Sequence, residues 1–559
     1  MICMCSLFSV YSGTMEPIAA VFECLSEYQL GNAITCKYTI TNNHNIDYHV
    51  LKRFTPLEGM ESPFVSVSRN GKVIPYDGKM IKRCYPPIHD EYFLLRAGSE
   101  WSTKIDLSVA YPMNETGEYM VMEMIPLHYH HHLDATFTDT EQASKSTLVS
   151  FQLHEGGTPK MTLGEFHRQK GTSFVQQVGH PRDPKFNGGT VDQQLLTKEI
   201  HRASYHYVST VEDDISDNEP HYVSWFGAED ADRIKRVKKK FNKVLSAMEA
   251  DVITYHFDDP QCEPSYYAFT YLGARDIYLC GMYHRSVDLL GIDTKLCTIV
   301  HELTHAVSRT DDIEYGRDKC LQLAKTNPRR ATINADNYGY FAETTNIFDY
   351  GFDSMEAWPD GHTYVTRGNM YIRYSDDSAS QIDSGYPHLI RGSLGSLPDN
   401  FLAGFDSQVM LPNGFIYVTK DNQYVRYSPK LDQGYPVSLQ GAWGHLNSKF
   451  AAGFDSAAVL PNTKTYVTKG NQYIRYSDES ATTVDSGYPS PLQGAWGILP
   501  FSFAESFDSM ASLKDGKIYV TKNKQYVRYS DKAAAKLDPG YPQPIKGNWG
   551  KINFPGPQI

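Results

Sequence analysis

No run of 18 apolar residues occurs anywhere in the 559-residue chain, so no membrane-spanning helix is expected. Basic residues are in deficit: 53 Lys and Arg stand against 65 Asp and Glu, a net charge of −12 that argues against nucleic-acid binding as the main task. Cysteine is sparse and one-sided. Nine are present and none follows Cys320, so no disulfide is expected within the C-terminal part, and the odd count leaves at least one thiol free or intermolecular. Met1 to Thr14 lacks the basic start and long apolar run of a secretory signal, and Met15 is an alternative start. What remains is ordinary globular composition, 41% hydrophobic and 21% charged, long enough for three or four domains.

The chemistry is concentrated in His301-Glu302-Leu303-Thr304-His305. Residues four apart on a helix are rotated by roughly 40°, so both imidazoles leave one face a turn apart and can grip one Zn²⁺. Glu302 lies beside them, placed to take a proton without being a ligand. Leu296, Ile299, Val300, Leu303 and Val307 recur at helical steps and predict a buried stripe, with Asp293 or Thr294 as N-cap. HExxH patterns also arise by chance, and a catalytic zinc needs a third protein ligand with one position left open. The loop Thr310-Asp311-Asp312-Ile313-Glu314-Tyr315-Gly316 offers carboxylates and a glycine for a sharp turn.

These residues resemble the aspzincin, or deuterolysin, metallopeptidases, in which HExxH is followed by Thr-x-Asp-x-x-Tyr-Gly; Thr310, Asp312, Tyr315 and Gly316 match. Tyr222-Val223-Ser224-Trp225-Phe226-Gly227, the strand-like Ile277 to Gly281 and Asn334 to Phe341 extend the resemblance over roughly residues 185 to 347, closest to the peptidyl-Lys metalloendopeptidase branch. The resemblance implies a zincin-type, mainly α-helical catalytic domain with a small sheet. It implies His301, His305 and Asp312 as zinc ligands, with Asp311 as the rival third ligand because the loop is short. It further implies Glu302 as general base and Tyr315 as hydrogen-bond donor to the oxyanion, and it pairs Cys262 with Cys280. Two other family cysteines are absent, Gly189 and Asp259 standing near their places; Cys24, Cys36 and Cys84 read as reduced core residues, with their pairing left open. In the peptidyl-Lys branch an aspartate and a glutamate three residues on receive the lysine on the carboxyl side of the cut. Asp336 keeps the first, and Gly339 replaces the second. One carboxylate can still select Lys or Arg; the other reading is that Asp336 orients a zinc-ligand histidine.

Residues 15–155 alternate apolar and polar positions in short segments, as at Cys36 to Ile40, Phe64 to Val67, Trp101 to Leu107 and Glu118 to Met122, and predict an immunoglobulin-like β-sandwich. It resembles the β-rich pro-domain ahead of some of these peptidases, so it is either a cover removed on activation or a permanent accessory domain. His128, His130, His131 and His132 cannot all reach one ion and are expected in a solvated loop. Residues 156–184 read as a linker, with cleavage near Lys185 as the expected activation step. Amphipathic helices are expected over Val191 to Tyr207 and about Asp230 to Ala250; the basic run Arg233 to Lys240 reads as a solvated helix face.

Residues 352–559 hold four copies of one unit, opening at Phe352-Asp353-Ser354, Phe405-Asp406-Ser407, Phe454-Asp455-Ser456 and Phe507-Asp508-Ser509, spaced 49 to 53 residues apart. That period predicts a β-propeller. The units resemble hemopexin-like repeats, which implies four blades with the opening aspartates lining a central channel and Ca²⁺ as a candidate ion held mainly by backbone carbonyls. The family's closing disulfide is missing, so ring closure rests on packing. The expected whole is a monomeric, extracellular zinc endopeptidase made as a zymogen, acting on protein or peptide, with a propeller that binds substrate or a surface. The rivals are a binding or toxin-like protein whose propeller carries the main role, and a zinc hydrolase of non-peptide substrate.

Overall fold

The computed structural model describes residues 17–124, 126–131, 141–143, 147–168, 179–215, 219–228, 230–428 and 430–549. The expectations on Met1 to Thr14, Met15 and His132 fall outside these residues. The chain divides into two compact units: residues up to 173 with 254–284 and 305–316, and residues 174–253 and 285–304 with everything from 317 on.

The first unit is rich in sheet. Its N-terminal region carries a three-stranded sheet (Ile18–Cys24, Thr35–Asn42, Glu100–Asp106), a five-stranded sheet built around Gly117–Glu123, and a four-stranded sheet built around Leu127–His130 and Tyr48–Leu51. Alternation places Phe22, Tyr38, Ile40, Val67, Tyr119, Val121 and Phe151 in one shared core. Two expectations fail here. Cys24 and Cys36 face each other across adjacent antiparallel strands and form a disulfide, rather than remaining reduced. His128 and His130 belong to the strand Leu127–His130 and not to a solvated loop, with His130 stacked on His49 at 5.7 Å; Leu127 and Tyr129 point into the core and so carry the histidines into the sheet.

A fourth sheet in this unit runs Thr254–Phe257, Asp276–Leu279, Tyr266–Tyr271, Lys79–Arg83. Its last strand comes from the N-terminal region and pairs antiparallel with Tyr266–Tyr271, setting Ile81 opposite Phe269 and Lys82 opposite Ala268. The disulfide Cys262–Cys280 joins the loop before Tyr266–Tyr271 to the end of Asp276–Leu279. Within the expected linker, Leu163–Arg168 is helical, and Arg168 is tied to Asp77 by paired hydrogen bonds of 2.6 and 2.7 Å.

In the second unit, Thr190 and Gln193 form a capping box on helix Val191–Asp214. Asp230 caps Ala231–Ala250, which buries Val237, Phe241, Val244 and Met248. Helix Lys295–Ser308 begins in this unit and ends in the other. Thr294 is its cap, accepting from Cys297 N at 3.0 Å, and Leu296, Ile299, Val300 and Leu303 are fully buried. The C-terminal repeats form four four-stranded antiparallel sheets. The first strand of each (Ser354–Ala357, Ser407–Met410, Ser456–Val459, Ser509–Ser512) packs beside that of the next, and the fourth beside the first. Each sheet repeats one arginine–aspartate pair: Arg373–Asp383, Arg426–Asp432, Arg475–Asp485 and Arg528–Asp538.

Candidate metal centre

Each ligand position is set by local structure. His301 and His305 occupy one face of the buried helix, a turn apart. Arg309, at φ 53°, turns the chain back after the helix, and Gly316, at φ 82°, ends the returning loop. A Cβ at Gly316 would lie 2.6 Å from the Tyr85 ring, so the turn requires glycine. The loop brings Asp312 to the histidines: one donor atom from each of His301, His305 and Asp312 lies within 4.8 Å of the others. All three side chains are buried, whereas Asp311 is exposed to solvent, which separates the two candidate aspartates.

Both imidazoles are held from behind. His301 Nδ1 is 2.7 Å from Asp336 Oδ1, and His305 Nδ1 is 2.8 Å from the Thr310 carbonyl oxygen. These acceptors keep a proton on Nδ1, which leaves the Nε2 lone pair for a cation. His305 Nε2 lies 3.2 Å from Asp312 Oδ1. Two neutral imidazoles and a carboxylate, buried and aimed at one centre, are the donor set that suits zinc. Glu302 is fully buried, its Oε1 4.0 Å from His301 Nε2. Tyr315 is 5% exposed and packed on Phe54, ring centroids 6.0 Å apart, with its hydroxyl donating to the Ile81 carbonyl at 2.8 Å.

Residues 211–343 match the aspzincin family, described as lysine-specific metallo-endopeptidase, and residues 405–447 and 507–551 match hemopexin. An extracellular protease of Aeromonas hydrophila is 30% identical over 317 residues, covering 55% of this chain and 87% of that protein. The chain belongs to the aspzincin family of zinc endopeptidases. A peptidyl-Lys metalloendopeptidase of Armillaria mellea is 34% identical over 145 residues, 25% of this chain and 39% of that protein. A solved zinc peptidase of Grifola frondosa is 26% identical, covering 28% of this chain and 96% of its own, with a TM-score of 0.26.

In this aspzincin Asp336 has the orienting position behind His301 that the sequence left open beside lysine selection. Gly339 has a packing role. A Cβ there would lie 2.8 Å from Cys297 Sγ and 3.0 Å from the Cys297 carbonyl oxygen, so helix Ala335–Glu343 approaches the metal helix too closely for a side chain at 339. Sequence reading missed two contributors. Thr310 matched the motif, but its carbonyl's hold on His305 needed the loop's path. Ile81 carries no local signal, yet its N–H donates to Asp312 Oδ2 at 2.8 Å.

A concave region of about 740 Å³ is lined by Asp353, Asp406, Asp455 and Asp508 of the repeats and, from outside them, by Asp183, Arg202 and His206. Asp406, Asp455 and Asp508 each meet a lysine at 2.8, 2.9 and 2.6 Å: Lys420, Lys469 and Lys522. At the corresponding place in the first repeat stands Arg367, which donates to the Gly351 carbonyl at 2.9 Å. Burial raises the Asp353 carboxyl above the usual carboxylate range.

Proposed function

We propose that this aspzincin cleaves proteins on the amino side of Lys, and to a lesser degree Arg, at the centre formed by His301, His305 and Asp312. The observation that carries the reading is the convergence of those three side chains with both Nδ1 atoms already engaged. His301, His305 and Asp312 would hold a zinc ion, which would supply Lewis acidity and make water more acidic at neutral pH. Glu302 accepts the proton of the attacking water and delivers it to the leaving amine. Tyr315 donates its hydroxyl hydrogen to the oxygen on which negative charge develops. Asp336 fixes the His301 ring and contributes the negative charge that favours a cationic side chain.

In this reading residues 15–155 are an immunoglobulin-like sandwich that serves as a pro-domain, ahead of a linker over 156–184 and a catalytic domain over 185–347. Residues 352–559 form a four-bladed propeller. The cyclic neighbour contacts of the first strands support the propeller, and the strand Lys79–Arg83 against Tyr266–Tyr271 supports the covering role. The propeller holds substrate or anchors the enzyme to a surface outside the cell. Any calcium there is bound by backbone carbonyls, because three of the four channel carboxylates already face lysines. Casein digestion with and without chelator tests the reading. Chelator-sensitive cleavage by the zinc-loaded protein, abolished by Glu302→Gln, is expected; activity that survives either treatment refutes it.

A further inference from the structure

The strand Lys79–Arg83 is buried in an unusual way. A strand on one edge of a sheet normally alternates buried and exposed positions. Here all five residues are at most 3% exposed, including Lys79, Lys82 and Arg83. Burying an ammonium or guanidinium costs several kcal/mol unless its surroundings are built for a cation. Arg83 has such surroundings, with Glu58 at 2.6 Å and the Tyr266 ring centroid at 5.0 Å. Lys79 pairs with Glu61 and lies 4.7 Å from the Phe269 ring centroid. Lys82 is 0% exposed, with its Nζ 5.6 Å from the Tyr267 ring centroid.

Pairing with Tyr266–Tyr271 accounts for the strand's place in the sheet, but not for what the metal loop does to Ile81. Asp312 Oδ2 accepts the Ile81 N–H at 2.8 Å, and Tyr315 donates to the Ile81 carbonyl at 2.8 Å. One backbone residue is thus gripped at both polar groups by a metal-ligand candidate and by the oxyanion-donor candidate. The carbonyl under the Tyr315 hydroxyl belongs to the peptide bond Ile81–Lys82, so the residue on its carboxyl side is lysine.

We infer that Ile81–Lys82 is this enzyme's first substrate, bound in register for hydrolysis within the same molecule. The inference rests on the zinc-endopeptidase reading above and adds the bond, the order of events and the residues on each side of the cut. Water adds its oxygen to the Ile81 carbonyl carbon, and the carbon–nitrogen bond to Lys82 breaks. Ile81 is left as a carboxylate and Lys82 as an amine, the water's proton reaching that amine by way of Glu302. The two strand ends can then leave the edge of Tyr266–Tyr271, which becomes available to an extended peptide from another protein. The cut near Lys185 expected from the sequence follows this one and is not the event that uncovers the site.

The test uses the full chain, purified in chelator and then given zinc, with N-termini read by mass spectrometry. A new N-terminus at Lys82, appearing at a rate independent of protein concentration, is expected in the wild type and absent in Glu302→Gln. Lys82→Ala should slow that cut by about 100-fold, with Lys82→Arg in between. A second readout needs no turnover. In the Glu302→Gln chain the Ile81 amide should be protected from hydrogen exchange, and adding Lys82→Ala should raise its exchange at least about tenfold. A first cut elsewhere with residues 79–83 left intact overturns the inference, as does an unprotected Ile81 amide. Casein added to the same wild-type sample separates the two levels: casein cleavage with Ile81–Lys82 intact sinks this inference alone, and cleavage of neither sinks the peptidase reading with it.

Discussion

Restoring the glutamate that the peptidyl-Lys branch carries at position 339 should not restore a lysine pocket; it should damage the metal centre. The reason is distance. An added Cβ would lie 2.8 Å from Cys297 Sγ, 3.0 Å from the Cys297 carbonyl oxygen and 3.6 Å from His301 Cβ. The first is closer than carbon tolerates and the second is unusually tight, and the backbone oxygen cannot swing aside as a flexible side chain would. Overpacking of this kind costs about 1–3 kcal/mol, while alanine recovers about 1 kcal/mol of helix propensity over glycine. Gly339→Ala should therefore lose about 1 kcal/mol net, a fall of about 2–4 °C in Tm. Gly339→Glu should lose more, because it adds two methylenes and a carboxylate to a site where Gly339, Cys297 and His301 are all buried. Pressure on His301 should also weaken zinc binding by about 10- to 100-fold, the range seen when support of a metal ligand is disturbed. Adding Cys297→Ala should return part of the loss, since it removes the Sγ contact and leaves the carbonyl contact. Calorimetry and a zinc-competition titration on the four proteins decide the matter. A Gly339→Glu protein that keeps its Tm and zinc affinity and cleaves more strictly before lysine would refute the packing argument.

Asp336→Asn should lower zinc affinity by about 10- to 100-fold, because the carboxylate behind His301 Nδ1 becomes a neutral amide; competition with a chromophoric chelator measures it. Tyr315→Phe should reduce kcat by about 10²- to 10³-fold with little change in KM, as loss of one oxyanion donor does, and steady-state kinetics on a lysine-containing peptide, with products quantified by mass spectrometry, will show the split. Glu356, buried in the first repeat and accepting from Ala357 N and Met410 N, is pushed up to about 8 by burial. Its folded form holds a proton that the unfolded chain has released above its ordinary carboxyl range, so stability from this group should fall as pH rises from about 5 to 8. Thermal melts of wild type and Glu356→Gln across that window should diverge, the variant losing less; parallel curves would contradict the assignment.

Several features were legible because they are local. The two histidines and Glu302 follow from helical periodicity over a few residues, and the stripe Leu296, Ile299, Val300 and Leu303 is buried as that periodicity requires. The capped helices Val191–Asp214 and Ala231–Ala250 and the repeated strands of the C-terminal region announce themselves in the same way. The strand Lys79–Arg83 did not. Lys-Met-Ile-Lys-Arg shows no alternation, and three cations in five residues read as surface. Only the partner strand Tyr266–Tyr271 and the carboxylates of Glu58 and Glu61 make its burial tolerable. The Cys24–Cys36 bond was hidden for a related reason, since strand register is a property of the pair and not of either strand.

By itself, then, the order of residues determined the two histidines with Glu302 beside them, the helix that carries them and the repeat count, all of which depend on spacing along one segment. The tertiary structure alone decided which aspartate of the adjacent pair turns inward, what stands behind each imidazole, why position 339 is bare, and that a stretch of the chain's own backbone lies against Asp312 and Tyr315. Those depend on groups far apart in the chain meeting at contact distance, and hydrogen bonds and steric exclusion act only across such distances.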